Sequence, residues 1–268
     1  MSFSISGKTA IVTGAAHGVG LAIGRHFHDE GANVVFADID EEALEREVGQ
    51  ICGEGRTARL FAGDIRQRLT ITNLLSLTID AFERIDILVN ASRQIVPSDP
   101  LDLEDTSVEQ MLEQNLMTAL RLSQATARRM IKLSGGGDDA GPLGSIINLS
   151  SIAARRAHPD LLGYSISTAA LDQMTRSLAV ALAPKRIRVN AVAFGSVMSA
   201  SLRGALKDHE EFRDQILSHT PLNRIASPGE VSDAVQYLAS DASGFVTGQV
   251  ITVDGGRTLI DPACVAAH

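Results

Sequence analysis

Short runs of apolar, β-branched residues recur along the chain, and most are followed by a longer stretch with helical periodicity. This alternation constrains the fold more than anything else in the sequence. Strand-like runs fall at 9–12, 33–37, 58–61, 87–89, 145–149, 188–193 and 250–253. Helical patterning fills 18–30, 41–51, 69–82, 107–132 and 164–183. Strand, helix and strand in repetition imply a parallel sheet with helices on both faces. Right-handed crossovers then make the sheet doubly wound, a Rossmann-type α/β fold. No repeat, charge block or linker divides the 268 residues, so the reading is a single domain over 1–268.

Two segments stand outside the pattern. Residues 134–144 form a Gly/Asp-rich loop, and 194–228 is long for a connection between a strand and a helix. Long connections in compact domains are often lids, and 194–228 is read as a substrate lid. Its apolar residues Met198, Leu202 and Leu206, spaced by four, predict one helical face toward a cleft.

Charge narrows the partners. With 24 Lys+Arg against 32 Asp+Glu, the net charge of −8 argues against nucleic acid. No apolar stretch approaches the roughly 20 residues of a membrane span. Two cysteines, Cys52 and Cys264, are too few for a disulfide framework or a zinc site, and they fit a reducing compartment such as the cytoplasm. The seven histidines show no metal-ligand spacing, so no metal is expected.

The sharpest local signal is Thr13-Gly14-Ala15-Ala16-His17-Gly18-Val19-Gly20, placed between a strand and a helix. Glycines there let the backbone approach a pyrophosphate, while the helix N-terminus offers N–H donors and positive dipole. Asp38, at the end of the second strand and about 20 residues on, fits an acceptor for adenosine ribose hydroxyls. Its carboxylate would repel a 2′-phosphate, and no Arg or Lys follows it directly, so NAD is favoured over NADP.

With further motifs in the same order, the chain resembles the short-chain dehydrogenase/reductase family over essentially its whole length. The TGxxxGxG spacing at 13–20 is that family's form. Gly63-Asp64-Ile65 resembles its adenine-contacting acid, and Asn115 sits where its helix asparagine lies. Asn148-Leu149-Ser150-Ser151 is similar to its NxSS strand end, with Tyr164 thirteen residues after Ser151. The segments 188–192 and 247–256 resemble its later signatures.

The resemblance implies hydride transfer between a nicotinamide and a carbinol or carbonyl carbon of a small-molecule alcohol or ketone. Tyr164 would be the acid/base, Ser151 would hydrogen-bond the substrate oxygen, and Asn115 would complete the catalytic set. It implies cofactor contacts from Gly14, His17, Gly18, Val19, Gly20, Asp38, Ile39, Asp64, Ile65, Asn90, Ala91, Ser92, Tyr164, Gly195, Val197 and Ser199. In the family a lysine four residues after the tyrosine contacts the nicotinamide ribose and favours the tyrosinate. The need is physical, since a phenol with a reference pKa near 10 is a poor base at neutral pH.

Three departures surround the nicotinamide end. Thr168 stands where the family has lysine; it can offer a hydroxyl to the ribose but no charge. Asn90-Ala91-Ser92-Arg93 replaces NNAG, and Ala193-Phe194-Gly195 replaces APG. Two readings stay open. Either a displaced cation, from Arg93, Arg155 or Arg156, stands in for the lysine, or the chain binds dinucleotide with weak or no activity as a regulatory or assembly subunit. His17 and His158 are read as non-catalytic, the first lending backbone to phosphate and the second facing solvent. By the resemblance, the helices at 107–132 and 168–183 would form a dimer interface within a homotetramer, with the apolar C-terminal tail packing on a neighbour.

Overall fold

The computed structural model describes residues 2–53, 55–135, 141–208 and 210–261. Elements follow in order as β1 (Thr9–Thr13), α1 (Gly18–Asp29), β2 (Asn33–Asp38), α2 (Glu41–Val48), β3 (Ala58–Ala62), α3 (Arg68–Phe82) and β4 (Ile87–Asn90). Then come α4 (Ser107–Met111), a π-helical turn (Leu112–Met117), α5 (Thr118–Leu133), β5 (Gly144–Ser151), α6 (Leu162–Leu182) and β6 (Ile187–Phe194). The chain closes with α7 (Ala200–Asp208), α8 (Glu210–Ser218), α9 (Pro228–Ala239) and β7 (Val250–Val253).

The seven strands form one sheet in the order β3-β2-β1-β4-β5-β6-β7, with every pairing parallel. Strands buried on both faces need apolar residues without alternation. The run Thr-Ala-Ile-Val-Thr of β1 is buried at every position, as is all of β5. One core layer packs α1, α2 and α9 on the sheet through Ile23, Phe27, Leu44 and Val235. The opposite layer packs α3, α5 and α6 through Leu74, Leu122, Met130 and Ala179. The order reverses between β1 and β4, and in open α/β sheets ligands bind in the crevice at that point.

Two expectations are corrected. The helix expected over 107–132 is interrupted by the π turn at Leu112–Met117, and one extra residue per turn rotates the chain around Asn115. The expected face at 198, 202 and 206 is not one helix. Met198 lies ahead of α7 with its backbone N–H bonded to Ala226 O at 2.9 Å, beside a bridge between Val197 and Ala226. Leu206 is buried, while Leu202 is half-buried. The core of the 134–144 loop, the tail after 261 and Cys264 lie outside the described residues. Among the described residues, no helix is long and apolar enough to cross a membrane.

Candidate active site

A cleft of about 610 Å³ opens at the C-terminal ends of β1, β2 and β4. Gly14, His17, Gly18, Val19 and Gly20 form its first wall, with Asp38, Ile39, Asp64 and Ile65 along the next. Ala91, Ser92 and Ser199 close it. Gly14 has φ +64°, and a Cβ there would sit 2.8 Å from Ala91 O and Ser92 N. A Cβ on Gly20 would meet Gly14 O at 2.1 Å, so the loop can fold against the helix only with these glycines. The wall is therefore a cradle of backbone at a helix N-terminus, as a pyrophosphate requires.

The acids at the far end of the cleft are held in place. Asp38 Oδ2 accepts from Ala16 N at 3.0 Å, and Oδ1 accepts from Ile39 N at 2.7 Å and Asp40 N at 3.2 Å. His17 pairs with Asp40 at 3.0 Å, and the exposed Ile39 beside Asp38 offers an apolar edge. The Arg66 guanidinium donates to both Asp64 oxygens, at 2.8 and 2.9 Å, which holds the Asp64 carboxyl below the usual carboxylate range. Arg66 lines the cleft and was not anticipated; its place two residues after Asp64 is the signal for it.

Ser151 and Tyr164 line a neighbouring cavity of about 410 Å³, with Phe194 and Gly195. Ser151 ends β5 and accepts from Ala153 N at 3.1 Å. Tyr164 lies in the first turn of α6 and is buried, with 3% exposure. Its hydroxyl oxygen accepts from Arg93 Nη1 at 2.9 Å. The Arg93 guanidinium also stacks 4.4 Å from the centre of the Phe194 ring. Arg155 instead bonds Thr252 Oγ1 at 3.0 Å, and Arg156 bonds Thr258 O, although Arg156 does line the cavity. Of the three candidate cations, Arg93 is the one that reaches the tyrosine.

Thr168 does not offer its hydroxyl to a ribose. It is buried in α6, and Oγ1 donates back to Tyr164 O at 2.9 Å and Ser165 O at 3.1 Å, so its single proton is used within the helix. Asn90 is likewise turned from the cofactor cleft. Its side-chain amide donates to Ser123 Oγ at 3.0 Å and Asn148 Oδ1 at 2.8 Å, in a buried network behind the sheet ends.

Gly195 lines the second cavity, and its N–H pairs with Val253 O. Val197 is buried beside Ala226, and the Ser199 hydroxyl caps α7 by accepting from Leu202 N at 3.2 Å. Asn115, in the π turn, grips the backbone of Gln94: Oδ1 accepts its N–H at 2.8 Å, and Nδ2 donates to its carbonyl at 3.0 Å. Gln114, which sequence reasoning did not single out, donates to Ser92 Oγ at 3.2 Å.

Comparisons with known proteins give the family to which this chain belongs. Residues 14–258 match the family model described as enoyl-(acyl carrier protein) reductase. The chain is 32% identical over 252 residues to the 7alpha-hydroxysteroid dehydrogenase of Escherichia coli K12, covering 94% of each chain. The chain belongs to the short-chain dehydrogenase/reductase family. Its likeness to the 3-oxoacyl-acyl-carrier-protein reductase of Thermotoga maritima is 32% identity over 255 residues, 95% of this chain and 99% of that one. Among solved structures, a 7alpha-hydroxysteroid dehydrogenase complexed with NADH and 7-oxo glycochenodeoxycholic acid superposes with a TM-score of 0.85 at 32% identity, covering 95% of each chain. These relatives are oxidoreductases of the same fold. The short-chain dehydrogenase/reductase assignment holds without a lysine on the turn after Tyr164.

Proposed function

We propose that the protein is an NAD(H)-dependent oxidoreductase that interconverts an alcohol and a ketone or aldehyde. The observation that carries this is the pairing of Ser151 and Tyr164 on one cavity beside the cleft walled by Gly14, Gly18 and Gly20. When bound, the dinucleotide supplies the carbon that accepts or donates hydride. The rest falls to this chain's own side chains.

Ser151 donates to the substrate oxygen and fixes the reacting carbon. Tyr164 removes the hydroxyl proton as the alcohol is oxidised and returns it as the carbonyl is reduced. Gly14, Gly18 and Gly20 leave room for the pyrophosphate, and α1 faces it with its N-terminal amides. Ala91 and Ser92 flank the cleft toward the nicotinamide end, with Ser199 opposite. Asp38 takes a ribose hydroxyl through Oδ2, which accepts one backbone bond and keeps a second lone pair, whereas Oδ1 already accepts two. NADH in the related hydroxysteroid dehydrogenase structure supports the same choice.

The cavity joins apolar walls from Ile152, Leu161, Phe194 and Ile260 to basic groups from Arg156 and Arg257. This fits a partly apolar substrate, with 194–228 acting as its lid.

The test is a screen of secondary alcohols and ketones with NAD(H). Turnover that falls by on the order of a hundredfold or more in Tyr164→Phe supports the reading. A silent wild type that gains activity as Thr168→Lys would instead favour a dinucleotide-binding subunit.

A further inference from the structure

Arg93 stands where the two cavities meet. It lines the cofactor cleft from the loop after β4, and its guanidinium crosses to a tyrosine of the neighbouring cavity. A guanidinium has five N–H donors and no acceptor, and it keeps its charge. In the 2.9 Å contact the Tyr164 oxygen is therefore the acceptor. The phenol's own proton must point elsewhere, and the open direction is the cavity that Tyr164 shares with Ser151.

Two further observations make this arrangement more than a passing contact. The residues on either side of Arg93 are clamped from the π turn, Ser92 by Gln114 and the Gln94 backbone by both polar atoms of Asn115. The Phe194 ring supports the guanidinium from the end of β6 at 4.4 Å, a distance at which a cation is attracted to the ring face. Thr168, the side chain one turn along α6, is bonded to its own helix and supplies no donor to the Tyr164 hydroxyl.

We propose that Arg93 is a positioning residue for proton transfer by Tyr164. It fixes the phenol oxygen, directs the phenol proton into the substrate cavity, and stabilises the negative oxygen left when that proton moves to substrate. The proton passes only between the Tyr164 and substrate oxygens, and Arg93 neither gains nor loses one. The inference rests on the reading of Tyr164 as acid/base. Other ionisable groups lining the cavity are Arg156 and His158 ahead of α6, His219 after α8 and Arg257 after β7. Among the described residues none of them bonds the tyrosine hydroxyl.

The chain has two tyrosines and no tryptophan, so in a Tyr237→Phe background ultraviolet tyrosinate absorbance reports Tyr164 alone. In that background Arg93→Gln is expected to move tyrosinate formation to higher pH. In the otherwise native enzyme it is expected to lower kcat by roughly tenfold to a hundredfold with a much smaller change in KM, and to shift the pH–rate profile upward. Arg93→Lys should restore much of both. Arg93→Met keeps the length of the side chain against Phe194 and decides the same question if the glutamine variant does not fold. Unchanged tyrosinate titration and unchanged kcat in the folded variant, with Tyr164→Phe inactive, would overturn the proposal while leaving the function intact. Turnover that survives Tyr164→Phe would instead remove the catalytic reading, and the absorbance curve would still judge the Arg93 contact.

Discussion

In the role proposed for it, Asp38 serves both fold and ligand. Its three backbone bonds fix the carboxylate at the lip of β2, yet a carboxylate offers about four acceptor positions. The remaining capacity lies beside a cleft whose other lining acid, Asp64, is already paired with Arg66. Calorimetric titration is expected to give tighter binding of NAD than of NADP. Asp38→Asn should weaken NAD by roughly tenfold and narrow the preference. Equal or tighter NADP binding by the wild type would refute the role given to Asp38.

At this scale the placement of residues was legible wherever a motif ties one to an element: Gly14 and Asp38 line one cleft, and Ser151 and Tyr164 the neighbouring cavity. The sequence also showed that a lysine was missing at Thr168. It could not show which arginine comes near Tyr164, because Arg93 lies 71 residues away and its reach depends on a loop held by two side chains of another helix. Nor could it show that the Thr168 hydroxyl turns back on its helix, since that is a rotamer choice.

Among the elements, α6 joins chemistry to stability. It carries Tyr164, the proposed acid/base, in its first turn and Asp172, which is 4% exposed, two turns further on. Burial pushes the Asp172 carboxyl above the usual carboxylate range, partly offset by the neighbouring Ser150 hydroxyl, and its Oδ1 has no hydrogen-bond partner among the described residues. A carboxyl raised by folding leaves the native state fully stable at low pH and costs stability as pH rises through the unfolded value. Asp172→Asn is therefore expected to raise the melting temperature at neutral pH, with the gain shrinking as pH falls toward 4. Thermal scans of both proteins at several pH values check this, and a pH-independent difference would contradict it.

The strands and most helices could be read from apolar period. The π turn could not, because one extra residue in a turn leaves the apolar spacing on either side almost unchanged. Its location at Asn115 follows from the grip on Gln94, a contact between distant segments.

At the scale of the molecule, the reversal of strand order was implied by strand-helix alternation together with crossover handedness, and the sheet order bears it out. Assembly is a different matter, because it depends on surfaces rather than periods. Phe245 is fully exposed, Val180 on α6 is 78% exposed, and β7 at the sheet edge is only half-buried along its length. We read these exposed side chains as part of an interaction surface. We expect a homotetramer, with Phe245→Asp shifting it toward smaller species. A light-scattering mass equal to that of one chain would exclude it.

The open edge at β7 also carries a consequence for stability. Among the described residues β7 pairs on one side only, and a partly exposed edge strand gains by being covered, which association does only as often as mass action allows. The folded state of this chain should then depend on how much of the protein is present. Dilution alone should lower its melting temperature, as it would not for a molecule whose outermost strand was already complete.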